Sequence, residues 1–170
     1  MATNNSINTY IVPTTTYEVT SPSQPAFLAT KSASTVNATG NGAVFTIDAN
    51  TEIFDQNADY NNGTYTFTAP VTGRYRCVGN AGLQVIGTAD TGYIRIVSSN
   101  RTYYSGDRDF SVCKDNTNKY FLGIDVLADA DAADTIYLVV VLSGQAGDTI
   151  TSAFGGATTP YTWFNAYLAC

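Results

Sequence analysis

Short β-type runs recur along this chain at intervals of roughly 8–12 residues, each closed by turn residues, and no stretch carries the 3.6-residue apolar rhythm of a helix. After Pro25 the runs are Ala26–Thr30, Ala43–Asp48, Thr51–Asp55, Thr64–Thr68, Arg74–Asn80, Gly92–Ser98, Arg101–Tyr104, Lys119–Leu127, Thr135–Ser143 and Thr162–Ala169. Between them lie Thr39-Gly40-Asn41-Gly42, the Asn/Asp/Gly-rich stretch from Asp55 to Gly63, and the Pro70–Gly73 turn. Many short strands with such punctuation predict an all-β sandwich or barrel.

Alternation assigns faces. In Thr64-Tyr65-Thr66-Phe67-Thr68 the period of two predicts Tyr65 and Phe67 on one side. Ile136-Tyr137-Leu138-Val139-Val140-Val141-Leu142 is apolar at every position. Both faces of that strand need cover, one from the opposite sheet and the other, on this reading, from a neighbouring subunit. Ala128-Asp129-Ala130-Asp131-Ala132-Ala133-Asp134 reads as a loop at one end of the sandwich.

The 170 residues suffice for one sandwich with a sizeable core. Charged residues make up only 13%, about half the usual share, and Thr, Asn, Ser, Gly and Tyr carry the polar surface. Such a surface meets another subunit without desolvating many ions, which costs several kcal/mol per ion. Net charge is −6, with eight Lys and Arg and no basic cluster, so nucleic acid is a poor partner. No apolar run approaches the ~20 residues of a membrane helix.

Residues 1–25 form a polar arm broken by Pro13, Pro22 and Pro25. Tyr10-Ile11-Val12 and Tyr17-Glu18-Val19 within it are candidate extended contacts to a partner surface. The arm lacks a charged n-region and apolar h-region, so synthesis without a signal peptide is expected. Cys77, Cys113 and Cys170 are odd in number and lack metal-type spacing, and read as unpaired thiols.

Chemistry is sparse. The chain has no histidine, which removes Ser-His-Asp and Cys-His pairs and the commonest zinc ligand. Gly144-Gln145-Ala146-Gly147-Asp148 lacks the lysine of a phosphate loop and reads as a sheet turn. A glycosidase pair would have to use Glu18, Glu52 or loop aspartates, for which solvation is the default. Hard oxygens gather in two loops, at Asp129, Asp131 and Asp134 and at Asp55, Asn57 and Asp59. Calcium is the one cofactor they admit, but neither group has EF-hand spacing, and acidic loops without metal are the expectation. Asn37, Asn62 and Asn100 begin N-x-Ser/Thr triplets that arise by chance in so Asn- and Thr-rich a chain. Tyr103-Tyr104 and Tyr161–Phe164 offer rings to a sugar or, more simply, to packing.

Two segments carry a family resemblance. Phe54 to Tyr75 contains Asn61-Asn62-Gly63-Thr64-Tyr65-Thr66-Phe67-Thr68-Ala69-Pro70-Val71-Thr72-Gly73-Arg74-Tyr75, and its Phe-Thr-Ala-Pro-x-x-Gly-x-Tyr string resembles the C1q-like branch of the C1q/TNF-like jelly-roll superfamily. Ala146-Gly147-Asp148 and the closing Trp163-Phe164-Asn165-Ala166-Tyr167-Leu168 resemble that family's Gly-Asp turn and terminal strand, with Asn165-Ala166 standing where Ser-Gly is usual. The resemblance implies a jelly roll of about ten short antiparallel strands over residues 26–170. It also implies a homotrimer whose aromatic residues pack around the three-fold axis. Phe54, Tyr65, Phe67, Tyr75, Tyr137, Phe164 and Tyr167 are the residues expected to pack in the core or the trimer.

The whole chain is similar to small C1q-like proteins of tailed bacteriophages. That likeness implies a non-enzymatic structural protein on the virion surface, a capsid decoration, head fibre or fibre tip. Its arm, through Tyr10, Ile11, Val12, Tyr17 and Val19, would anchor it to other virion proteins. Recognition of a host receptor or glycan is the alternative, and a soluble C1q/TNF-like ligand is disfavoured.

Overall fold

The computed structural model describes residues 23–113 and 117–170. The arm residues Tyr10, Ile11, Val12, Tyr17 and Val19 lie outside them. Fourteen strands form among the described residues, where Thr, Val, Ile, Tyr and Phe fill the runs between turns and suit a pleated surface. They are β1 (Ala26–Thr30), β2 (Thr35–Thr39), β3 (Phe45–Thr46), β4 (Thr51–Asp55), β5 (Tyr60–Asn61), β6 (Thr66–Thr68) and β7 (Gly73–Gln84). After these come β8 (Thr91–Ser98), β9 (Thr102–Tyr104), β10 (Arg108–Asp109), β11 (Lys119–Ala130), β12 (Thr135–Ser143), β13 (Ile150–Ser152) and β14 (Trp163–Leu168). A single turn of helix, α1 (Phe110–Cys113), seats Phe110 in the core.

The strands make two antiparallel sheets. In the first, β7 takes β11 along one edge and β14, then β13, along the other, while β1 and β4 follow β14 and β2 follows β13. In the second, β12 pairs β8 on one side and β3 and β6 on the other, with β5 beyond β6 and β9 and β10 beyond β8. The chain ends inside the first sheet, with β14 held between β1 and β7.

Aromatic rings fill the space between the sheets. Phe27 touches Phe67 and Phe164, each at 5.2 Å between centroids, and Phe67 meets Tyr75 at 5.4 Å. Tyr75 explains part of the Pro70–Tyr75 string: its hydroxyl donates to the Val71 carbonyl at 2.7 Å, so the returning strand ties off its own turn. Phe67, Tyr75 and Phe164 are each at most 1% exposed.

Four local expectations are corrected. Tyr65 does not share a strand with Phe67. The Asn61 side chain accepts from the N–H groups of Gly63 and Thr64, and the tight turn between β5 and β6 closes with Tyr65 at φ +60°. Phe45–Thr46 is all that forms of the run 43–48, because Asp48 turns toward Lys31 and Thr35. Ala128–Ala130 belongs to β11, and only Asp131–Asp134 make the connecting turn. Finally, the outward side of β12 needs no neighbour: Val139 and Val141 are 3% exposed within the single chain. They lie opposite Arg95 and Tyr93 of β8, where the Arg95 guanidinium sits 4.4 Å from the Tyr93 ring centroid. Tyr137, in the same outward row, is half-buried opposite Val97.

Candidate functional site: the outward face of the first sheet

Register brings side chains from five strands into rows on the side of the first sheet away from the core. One row runs Phe54, Leu28, Asn165, Val78 and Asp125 across β4, β1, β14, β7 and β11. The next runs Ala26, Tyr167, Arg76 and Leu127. On the other flank Thr30 lies beside Trp163, and Trp163 beside Asn80. The inward partners Phe27, Ala29, Tyr75, Cys77, Phe164 and Ala166 are buried, as alternation requires.

This face holds much of the molecule's exposed apolar surface. Ile53 is 57% exposed, Leu127 52%, Phe54 49%, Phe121 48% and Tyr167 38%. Leu28, Val78, Trp163 and Tyr161 are half-buried. Phe121 stands edge-on to Tyr161 at 5.2 Å. Leu28, Thr30, Ile53, Pro160, Trp163 and Asn165 line a shallow depression of about 290 Å³. Scattered apolar residues are ordinary on a monomer, but here five exposed ones from β4, β11 and β14 share one side of a single sheet, around the Arg76–Asp125 pair.

Charge in the middle of the face is self-cancelling. Arg76 donates two parallel hydrogen bonds to Asp125, Nε to Oδ1 at 3.1 Å and Nη2 to Oδ2 at 2.7 Å. Hydrogen bonding from Arg76 holds the Asp125 carboxyl below the usual carboxylate range. A paired ion couple costs less to cover than two lone charges.

No protein-family model and no curated protein matches the chain. Solved structures do. The globular domain of zebrafish complement 1qA protein superposes with a TM-score of 0.60 at 15% identity, over 86% of this chain and 98% of that one. Eiger TNF from S. frugiperda gives 0.54 at 8% identity, over 86% and 92%. Murine APRIL gives 0.53 at 7%, over 85% and 98%.

The fold is a C1q/TNF-like jelly roll. Within the jelly roll, the residues expected to pack divide into two groups. Phe67, Tyr75 and Phe164 are in the core, whereas Phe54 and Tyr167 stand outward on the exposed face. Tyr65 and Tyr137 lie on neither. The sequence reading missed Ile53, Phe121, Leu127 and Trp163 as members of the face. A signal existed in β11: Leu122, Ile124, Val126 and Ala128 form one apolar parity, and Phe121 and Leu127 interrupt the polar one.

In the two acidic loops Asp129, Asp134 and Asp55 have protein partners, while Asp59 Oδ2 is buried without a hydrogen bond. Asp129 accepts from Arg101 Nε at 2.9 Å and the Tyr103 hydroxyl at 2.6 Å. Asp134 accepts from Asn100 at 2.5 Å and from the Asp131 N–H at 2.8 Å, closing the turn. Asp55 likewise accepts from the N–H groups of Asp59 and Tyr60, and Asn57 donates to Ser23. Among the described residues no three metal-type ligands group together, and no helix is long and apolar enough to cross a membrane.

Proposed function

We propose that this chain is a non-enzymatic assembly domain that forms a homotrimer through the outward face of its first sheet. The exposed apolar residues Ile53, Phe54, Phe121, Leu127 and Tyr167 on that one face carry this reading. The jelly-roll fold it shares with complement 1qA and TNF-type domains agrees with it. An obligate assembly needs roughly 2,000 Å² or more of interface, so the edges of the sandwich would have to join this face in the contact. Extending the reading, the trimer is a virion surface protein of a tailed phage, with residues 1–25 as its anchor. The Thr/Asn-rich surface and the three free thiols support that placement.

Sedimentation velocity tests the first step: wild-type protein is expected as a trimer at micromolar concentration, and Phe121→Asp with Leu127→Asp as a folded monomer. A monomeric wild type ends the proposal. For the placement, mass spectrometry and cryo-EM of purified particles should find the trimer, and deletion of residues 1–25 should release it still folded.

Receptor or glycan recognition is a second reading, favoured by one groove of about 490 Å³ between β9 and β11. Tyr103, Tyr104, Ser105, Arg108 and Asp125 line it, offering rings for stacking and polar groups for sugar hydroxyls. Adhesion to host cells that survives deletion of residues 1–25 would select this reading.

A further inference from the structure

Among the described residues, Lys31 is the only charged residue that is fully buried, with its side chain 1% exposed. It follows β1, away from the exposed face. Its Nζ donates to Asp48 Oδ1 and, at 2.9 Å, to Thr35 Oγ1. The Thr35 hydroxyl in turn donates to Asp48 Oδ2, so three side chains form a closed ring. The Phe45 ring lies 5.7 Å from Nζ, an apolar wall on one side. Desolvation pulls the Lys31 ammonium down to about 8. A buried ion pair is costly in a low-dielectric pocket, and burial of Lys31 favours its neutral amine. A desolvated lysine is then a nucleophile, held against the carboxyl group it would attack.

We propose that Lys31 and Asp48 condense into an intramolecular isopeptide bond, with Thr35 as the proton relay. One proton passes from Nζ through Thr35 to Oδ2, leaving a neutral amine beside a carboxylic acid. The Nζ lone pair attacks Asp48 Cγ, forming the C–N bond and placing the carbonyl electron pair on Oδ1. A second proton leaves Nζ by the same route, Thr35 accepting from nitrogen as it donates to Oδ2. The Cγ–Oδ2 bond breaks, Oδ2 departs as water, and the electron pair on Oδ1 restores the C=O. The ion pair thus becomes a neutral amide and one water, with no oxidant or reductant. Asp48 is 18% exposed, which gives the water a way out.

The bond would join the segment after β1, in the first sheet, to the segment after β3, in the second. It is a covalent tie between segments that leave the two different sheets.

Intact-mass spectrometry of the folded wild-type protein is the test. The expected mass is lower than the sequence mass by one water, with a branched peptide joining Lys31 to Asp48 and no tryptic cleavage after Lys31. Lys31→Ala and Asp48→Ala should each show their own full sequence mass. Thr35→Val, checked for folding by circular dichroism, should lose water far more slowly. Folded wild-type protein with its full mass and a linear Lys31 peptide overturns the bond and leaves a buried ion pair. Undiminished water loss in Thr35→Val overturns the relay.

Discussion

The Phe27 ring lies flat on the Tyr60 ring, with centroids 4.3 Å apart and planes 12° from parallel. The contact joins β1 of the first sheet to β5 of the second. Tyr60 is 5% exposed, and its hydroxyl donates to the Ala49 carbonyl at 2.7 Å. Burial pushes the Tyr60 hydroxyl far above the ordinary tyrosine range, so it stays a donor at any physiological pH. Tyr60→Phe strands a buried carbonyl and should cost about 1–2 kcal/mol. Tyr60→Ala also empties the ring site and should cost about 3–5 kcal/mol. Urea unfolding followed by Trp163 fluorescence measures both, and equal stability of Tyr60→Phe and wild type would refute the bond's contribution.

Gly144 follows β12 at φ +97°, and a Cβ there would meet the Asp90 backbone N at 2.5 Å. Neither the backbone sign nor the neighbour can give way cheaply. Gly144→Ala is expected to lose about 2 kcal/mol or more. Gly147→Ala, in the same turn with open space around it, serves as the control and should leave the melting temperature within a degree or two of wild type.

Hydrogen bonds from Arg101, then Tyr103, hold the Asp129 carboxyl down to about 2, against about 3.9 in an unfolded chain. A depressed carboxylate stabilises the fold above its unfolded value and loses that contribution as pH falls toward its folded one. Wild-type protein should therefore shed a small increment of stability between about pH 4 and pH 2, small because the pair is exposed. The urea midpoints of wild type and Asp129→Asn should differ at neutral pH and converge near pH 2. A gap that persists there rules out the ion pair as its source.

Cys77 is buried and its thiol is pushed up to about 12, chiefly by desolvation. Cys113 and Cys170 are exposed. Iodoacetamide on native protein should alkylate Cys113 and Cys170 and spare Cys77, with all three reacting in urea. Rapid native labelling of Cys77 would mean that β7 opens far more easily than its place in the core allows.

The all-β class and the Phe67–Tyr75 turn were legible because each rests on a repeat of two or on Pro and Gly within a few residues, whereas about ten strands were expected and fourteen form, the extra ones being short or lying in turn-rich stretches such as Thr35–Thr39 and Ile150–Ser152. Tyr60 was not, since it sits in a stretch of Asn, Asp and Gly that reads as a loop, and only Phe27, far away in sequence, gives it a place. The strand expected over Arg74–Asn80 instead runs on to Gln84, through Gly79 and Gly82. Both glycines are gaps in a continuous strand, filled by Leu138 and Tyr161 from elsewhere in the chain. Tyr65 failed for the opposite reason: the alternation was local and sound, but turn closure forced a left-handed backbone.

By itself the sequence determined that this chain is a β sandwich with turns at set places, because side-chain alternation and backbone restriction act between near neighbours. Which flank lies open was decided by tertiary structure alone. A strand pattern is symmetric between its two sides, and only the pairing of β11, β7, β14, β1 and β4 turns Phe54, Phe121, Leu127 and Tyr167 outward together. Long-range pairing likewise carried Lys31 against Asp48, across a separation that no local rule spans.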